Sequence, residues 1–446
     1  MKKNGASILV YALEQIGVRK TFGIPGMHNT EIYNQLNNSR NIEPIIVTHE
    51  LSAGYMADAV SRTSDSIGTI VIVPGAGLTH AMSAIGEALV DGIPLLIISG
   101  GINKESGKSF QMHQLNMERV VNGIVKGYFM INELEQIVPT IYEAYELAIS
   151  GEPGPVFIEM PVRTQLISDS VELPPYIKKP KHNPFKTSKE SSGEMSLFAD
   201  NESVTDKLSR AVNLLSEANF PALYVGWGAV DATEEIKILA ELLAAPVATT
   251  IQGISAFPFN HPLHAGIGFG PSAAPAAQNS FKNCDCLLAV GLKFSELATG
   301  NYQMDVPENL IHIDINPDVF HKNYHAKVAL EGDAKIVLNE LISGLKNGSP
   351  KTKNNIANLS ESIKLDKEAY RNSWFANPGE QMVTPGFFYN ALRNYLPEDA
   401  IMVADDGTHM LMTAELFPVL HARHFICPTD YSGMGYGIPA AIGAKL

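Results

Sequence analysis

Short, nearly continuous apolar runs alternate with stretches of helical period along most of this chain. The first helical stretch is 4–16, with Asn4 placed to cap it and Gly17 to stop it. Residues 20–24 then read as a strand entering the tight turn Pro25-Gly26. Ile45-Ile46-Val47 reads as a short buried strand that ends at Thr48-His49-Glu50. A small-residue helix to about Arg62, a strand at 69–73, the turn Pro74-Gly75-Ala76-Gly77, a helix at 79–90 and a strand at 95–98 follow. A helix near 133–149 and a strand at 156–159 close the first region. Apolar strands alternating with helices predict a parallel sheet covered on both faces.

The pattern lapses between 173 and 205, where Pro-Pro, Lys-Lys-Pro-Lys and Ser-Ser-Gly occur among few apolar residues. This stretch reads as a solvated linker. Beyond it the alternation resumes: helices at 206–217 and 233–244, strands at 222–225, 247–250, 286–290 and 310–314. Residues 335–380 read as a helix and a polar connector. A helix at 386–395, a strand at 400–404 and a helix entered through 433–441 complete the chain. The expected fold is α/β, with three doubly wound parallel-sheet units. They are 1–172, 206–345 after the linker 173–205, and 381–446 after the connector 346–380. One strand and two helices cannot complete a sheet, so the third unit is expected to be incomplete.

Composition narrows the function classes. With 446 residues, 45% of them apolar and 18% charged, the chain is ordinary globular protein and too long for one core. The net charge of −14, and the want of any basic stripe, argue against nucleic acid as a partner. Cys284, Cys286 and Cys427 have neither a disulfide framework nor zinc spacing, which suggests a reducing compartment. Glu14 interrupts the apolar run after Lys2 and Lys3, so no signal peptide is expected. No run of about twenty apolar residues predicts a membrane span. A cytoplasmic protein is the expectation.

Glu50 is the leading candidate for chemistry, because it falls where a strand gives way to a helix, the place where open α/β sheets bind ligands. The plainer alternative is a carboxylate favouring the positive end of that helix. Gly407, Thr408 and His409 stand where backbone amides at a strand end could meet a diphosphate, or else form an acidic turn with Asp405-Asp406. Gly226-Trp227-Gly228 could cradle a dinucleotide, which would suit a nicotinamide dehydrogenase, but the full glycine fingerprint is not there.

Taken in order, several motifs resemble the thiamine-diphosphate-dependent enzymes of the acetolactate synthase group. These are Thr48-His49-Glu50 with Ala53 to Arg62, Gly151-Glu152-Pro153-Gly154-Pro155-Val156, Pro246 to Thr250, His312 to Pro317, and Gly433 to Gly443. The resemblance implies a pyrimidine-binding first domain, a middle domain and a diphosphate-binding last domain. It also implies a homodimer or homotetramer in which Glu50 reaches the cofactor held by a partner chain. The thiazolium is then the electron sink for decarboxylating a 2-oxo acid such as pyruvate. Glu50 shares a proton with a pyrimidine nitrogen, favouring the imino tautomer that deprotonates the thiazolium carbon. Met434 would wedge between the two rings and Ser432 would offer a backbone carbonyl to the amino group. Pro25 and Gly26 match a turn beside the pyrimidine, with Gly75 in the same cofactor-binding set. His80 stands where these enzymes carry asparagine. Phe110-Gln111 matches a pair on the substrate side, and His113 could act on substrate protons as histidines do in related decarboxylases.

Departures from the group leave flavin and product open. Phe294 is followed by Ser295-Glu296-Leu297 instead of Asp-Asp-Arg, and 269–272 reads Phe-Gly-Pro-Ser instead of carrying Met-His-Gly. FAD therefore stays open as a further cofactor. The Gly-Asp-Gly…Asn motif that binds magnesium is expected beyond Leu446, so no metal ligands are assigned here. The chain is expected to be a shortened form, inactive alone. The alternatives to carboligation are a 2-oxo acid decarboxylase, a 2-hydroxyacyl lyase or an inactive homologue.

Overall fold

Parallel pairing of the apolar runs produces two six-stranded sheets, each with helices between its strands. The computed structural model describes residues 2–103, 106–180, 183–185, 203–348, 350–375 and 382–446. They fall into two units. Unit 1 is Met1–Lys179, Val403–Asp406 and Ile426–Leu446; unit 2 is Pro180–Met402 and Gly407–Phe425.

Unit 1 runs α1 (Gly5–Gln15), β1 (Lys20–Gly23), α2 (Thr30–Asn38), β2 (Glu43–Ile46), α3 (Glu50–Thr63), β3 (Gly68–Ile72), α4 (Ala76–Val90) and β4 (Leu95–Gly101). It continues with β5 (Gly127–Met130), α5 (Ile137–Ile149) and β6 (Pro155–Pro161). The sheet order is β2-β1-β3-β4-β6-β5, all parallel. Asn4 caps α1 as expected, its side chain accepting from the Ser7 N–H. The strand before Glu50 departs from expectation: it spans Glu43–Ile46 at the sheet edge, and Ile46 is 57% exposed. Apolar identity alone cannot tell an edge strand from a central one. Elements that went unread include α2, β5 and the five-residue helices Met117–Val121 and Val162–Leu166. The core is built from α1, α5 and the inner strands. Leu173 and Tyr176 pack against it, and Tyr11 and Tyr142 donate to the carbonyls of Leu173 and Pro174. The start of the expected linker is thus part of unit 1, held by tyrosines far away in sequence. Residues 181–182 and 186–202 of that linker lie outside the described residues.

Unit 2 runs α6 (Val204–Glu217), β7 (Pro221–Val225), α7 (Thr233–Leu243), β8 (Val247–Thr249), β9 (His264–Ile267), α8 (Pro275–Phe281), β10 (Cys286–Val290), β11 (Asn309–Asp314), β12 (Val328–Glu331) and α9 (Ala334–Lys346). Its parallel sheet is ordered β9-β8-β7-β10-β11-β12. The strands β9 and β12 went unread. The glycines after β7 have a packing reason: a Cβ at Gly226 would stand 2.3 Å from Gly291 O, and one at Gly228 2.8 Å from Gly291 Cα. The expected polar connector contains the eighteen-residue helix α10 (Ile356–Ser373). Its exposed polar faces hid its period, since Ile363 is its one buried residue. After α10 come α11 (Pro385–Tyr395) and α12 (Thr408–Leu416). The expected strand at 400–404 is only Met402–Val403. The chain closes in unit 1 with α13 (Gly437–Lys445). Cys284, Cys286 and Cys427 are free thiols. Among the described residues no helix is long and apolar enough to cross a membrane.

Candidate active site

The order of the first sheet places its topological switch between β1 and β3, because the chain moves outward from β1 to β2 and then returns to the other side. A crevice opens at the carboxyl ends of such strands. Pro25 and Gly26 follow β1 there, and Gly75 follows β3. The Gly26 N–H donates to Asn29 Oδ1 at 2.7 Å, which fixes the turn.

Glu50 is the first residue of α3, and His49 caps the helix through Nδ1, which accepts from the Leu51 N–H. Only 6% of Glu50 is exposed. Its Oε2 lies 3.1 Å from His80 Nδ1 on α4, and the rings of His80 and His49 stack with centroids 4.8 Å apart. Tyr33 donates to Val71 O, and burial first, with Glu50 second, holds its phenol proton on. The carboxyl therefore sits in a nearly dry corner beside a half-exposed imidazole. Gly77 packs closely against it: a Cβ there would stand 2.9 Å from Val73 Cγ2 and 3.3 Å from Glu50 Oε1.

His113 has a backbone φ of +61°, and a Cβ at Gly75 would stand 3.1 Å from its carbonyl oxygen. Its ring meets that of His28 edge-on at 5.2 Å. Burial, with His113 second, lowers the His28 pKa, and the buried His28 Nδ1 has no hydrogen-bond partner among the described residues. The structure thus gathers Glu50, His80, Gly75, His113 and the unforeseen His28 around β1, β3 and their helices. Gln111 is engaged otherwise. Its amide donates to Asn103 O, Ser106 Oγ and Lys108 O within its own exposed loop, and the neighbouring Phe110 is 99% exposed. Gly407, Thr408 and His409 belong to unit 2, at the start of α12, where Thr408 and His409 are exposed.

The segment 427–437 lies in unit 1, in the same chain as α3, and α13 packs on α3. Asp405 accepts from the N–H groups of Gly435, Tyr436 and Gly437 at 2.9, 3.2 and 2.9 Å, and so caps the start of α13. Its carboxylate is engaged as a helix cap. Met434 is 77% exposed, and Ser432, with φ +58°, donates its hydroxyl to Thr429 O.

Sequence reasoning assigned no role to four buried ionisable side chains. Arg62 Nε reaches Asp58 Oδ1 at 2.7 Å and Nη2 reaches Asp91 Oδ2 at 2.9 Å, with all three side chains fully buried. Glu87 lies beside them on α4, wholly buried. The available signal was charge inside helices of otherwise apolar and small residues. Burial raises the Asp58 pKa against the opposing pull of Arg62.

The crevice fits an aromatic ring bearing hydrogen-bonding nitrogens: a sheltered carboxyl and, among the described residues, a buried ring nitrogen without a partner. Among the described residues no group of three or more His, Cys, Asp and Glu side chains could hold a metal ion.

Three family models match the chain. The thiamine pyrophosphate enzyme N-terminal TPP-binding domain matches residues 3–119, the central domain 208–341 and the C-terminal TPP-binding domain 405–446. The acetolactate synthase large subunit of Buchnera aphidicola is 30% identical over 449 residues, covering 99% of this chain and 75% of that protein. Those of Corynebacterium glutamicum and Haemophilus influenzae are each 29% identical over all of this chain, which spans 68% and 76% of their lengths.

Proposed function

The chain belongs to the thiamine-pyrophosphate-dependent enzymes, in their acetolactate-synthase-like branch, and from that premise we propose that it decarboxylates a 2-oxo acid, with pyruvate as donor, and transfers the two-carbon unit to a second carbonyl compound. The observation that carries this reading is Glu50: a nearly buried carboxyl at the head of α3, hydrogen-bonded to His80 on the neighbouring helix. When bound, thiamine diphosphate supplies the electron sink for the carbanion released on decarboxylation.

The residues of this chain do the rest. Glu50 presents its carboxyl to a ring nitrogen and shares a hydrogen bond with it, in a corner dry enough to strengthen that bond. His80 fixes the carboxyl's orientation from the neighbouring helix. Pro25, Gly26 and Gly75 form the backbone walls at the switch point, and Met434 and Ser432 present the opposing surface. Gly407, Thr408 and His409 are the proposed diphosphate contacts, through amides at the start of α12. A homodimer is the proposed assembly.

Replacing Glu50 with Gln removes the exchangeable proton and keeps the shape. Made in a full-length version, the change is expected to reduce carbon dioxide release from pyruvate by about two orders of magnitude or more, in line with loss of a proton-transfer group. Unchanged release would remove Glu50 from the mechanism.

A second reading, decarboxylation without ligation, is favoured by one feature. His113 stands beside Gly75 with its ring edge-on to that of His28, while the side chain of Gln111 is engaged in its own loop. Product analysis separates the two: acetolactate marks the ligase, acetaldehyde the decarboxylase.

A further inference from the structure

The outward face of the 427–437 segment is set by what holds its inward face. Gly433 and Tyr436 are buried, whereas Ser432, Met434 and Gly435 are exposed. Three carboxyl side chains, Asp58 on α3, Glu87 on α4 and Asp91 just after α4, grip the buried positions. Glu87 Oε2 accepts from the Gly433 N–H at 2.8 Å, and Glu87 Oε1 from the Thr429 N–H at 3.2 Å. Asp91 Oδ1 accepts from the Thr429 hydroxyl at 2.7 Å, and Asp58 Oδ1 from the Tyr436 hydroxyl at 2.7 Å. Arg62 ties Asp58 to Asp91 beneath them. Position 433 tolerates nothing larger than glycine, since a Cβ would stand 2.4 Å from Tyr55 Oη and 2.9 Å from Glu87 Oε2. The two amides that Glu87 holds bracket the turn just before Met434.

We propose that Glu87 is a positioning residue, which fixes the Thr429–Gly433 turn through those two amides so that Met434 and Ser432 project toward the cofactor. The inference rests on Met434 and Ser432 being cofactor-facing, as in the function proposed above. A neutral carboxyl suits the task, because it adds no unpaired charge to a buried cluster that already holds Asp58 and Asp91 against one arginine. Consistently, burial above all, then Asp91, pushes the Glu87 pKa up to about 9.

The test uses the whole chain and the variants Glu87→Gln and Glu87→Ala. Hydrogen exchange, followed without cofactor, reads the clamp directly. The Thr429 and Gly433 amides should exchange about tenfold faster or more in Glu87→Ala, the change expected from one lost buried hydrogen bond. The Gln variant, which keeps one acceptor oxygen, should fall between. Titration with thiamine diphosphate, alone and on a Met434→Ala background, then reads the positioning. Glu87→Ala should weaken binding by about tenfold in the parent and by much less when Met434 is already gone, because the two act through one surface. Equal losses on both backgrounds would overturn the positioning role, and so would unchanged amide exchange. Should Glu87→Ala fail to fold, as circular dichroism would show, the Gln variant carries both measurements. Failure of the Glu50→Gln experiment with loosened amides here would reject the catalytic reading and leave the clamp standing.

Discussion

A proton held where water would remove it has a thermodynamic signature. Glu87 keeps its proton to about pH 9 in the folded chain and releases it near 4.5 when unfolded. Between those values the native state binds more protons, so its stability is fully present below pH 4.5 and is lost as the pH rises toward 9. The slope approaches about 1.4 kcal/mol per pH unit for one such group. Urea unfolding of the parent and of Glu87→Gln across pH 5 to 9 should therefore diverge, with the Gln variant losing less. Parallel curves would mean that Glu87 ionises normally. Lys367 works in the opposite sense in unit 2. Burial lowers its pKa from 10.5 to about 7, where its amine donates to the carbonyls of Phe259 and His264. The folded state binds fewer protons between 7 and 10.5, so this group makes stability rise with pH there. Glu87 was hidden in the sequence, because a charge in an apolar helix does not announce its partner. Glu50 was legible, since its place between strand and helix is a matter of local order.

Among the elements, α13 depends on a residue thirty positions earlier. Asp405 accepts from three amides at the helix start, and these N–H groups have no intrahelical partner. Asp405→Ala should cost about 1–2 kcal/mol, as loss of a capping carboxylate does, and should speed exchange of the amides in 435–437. Unchanged exchange would show that packing on α3 alone holds this helix. The sequence announced α13 by its small residues and left the cap unread, because Asp405-Asp406-Gly407 looks alike whether it binds a ligand, turns the chain or caps a distant helix. The edge position of β2 and the length of α10 were missed for a related reason. Alternation reports which residues are apolar, and strand order and helix exposure depend on neighbours supplied by other parts of the chain.

For the molecule as a whole, the proposed homodimer implies a particle of twice 48.3 kDa. Light scattering on the purified chain with thiamine diphosphate and magnesium should return that mass. A mass of one chain would reject the dimer and leave the site to be completed by the contact seen here within one chain, between the 427–437 segment and α3.

Local order along the sequence determined the α/β class, most strands of the two parallel sheets, the ordered motifs of the thiamine-diphosphate enzymes and the candidacy of Glu50. All of these follow from periodicity and adjacency, which persist in an unfolded chain. Tertiary structure alone decided which strand lies at an edge, that His28 joins His113 beside Gly75, and that Glu87, Asp91, Asp58 and Arg62 converge on the turn before Met434. Convergence of that kind comes from burying residues more than three hundred positions apart in one low-dielectric interior, where each polar atom must find a partner.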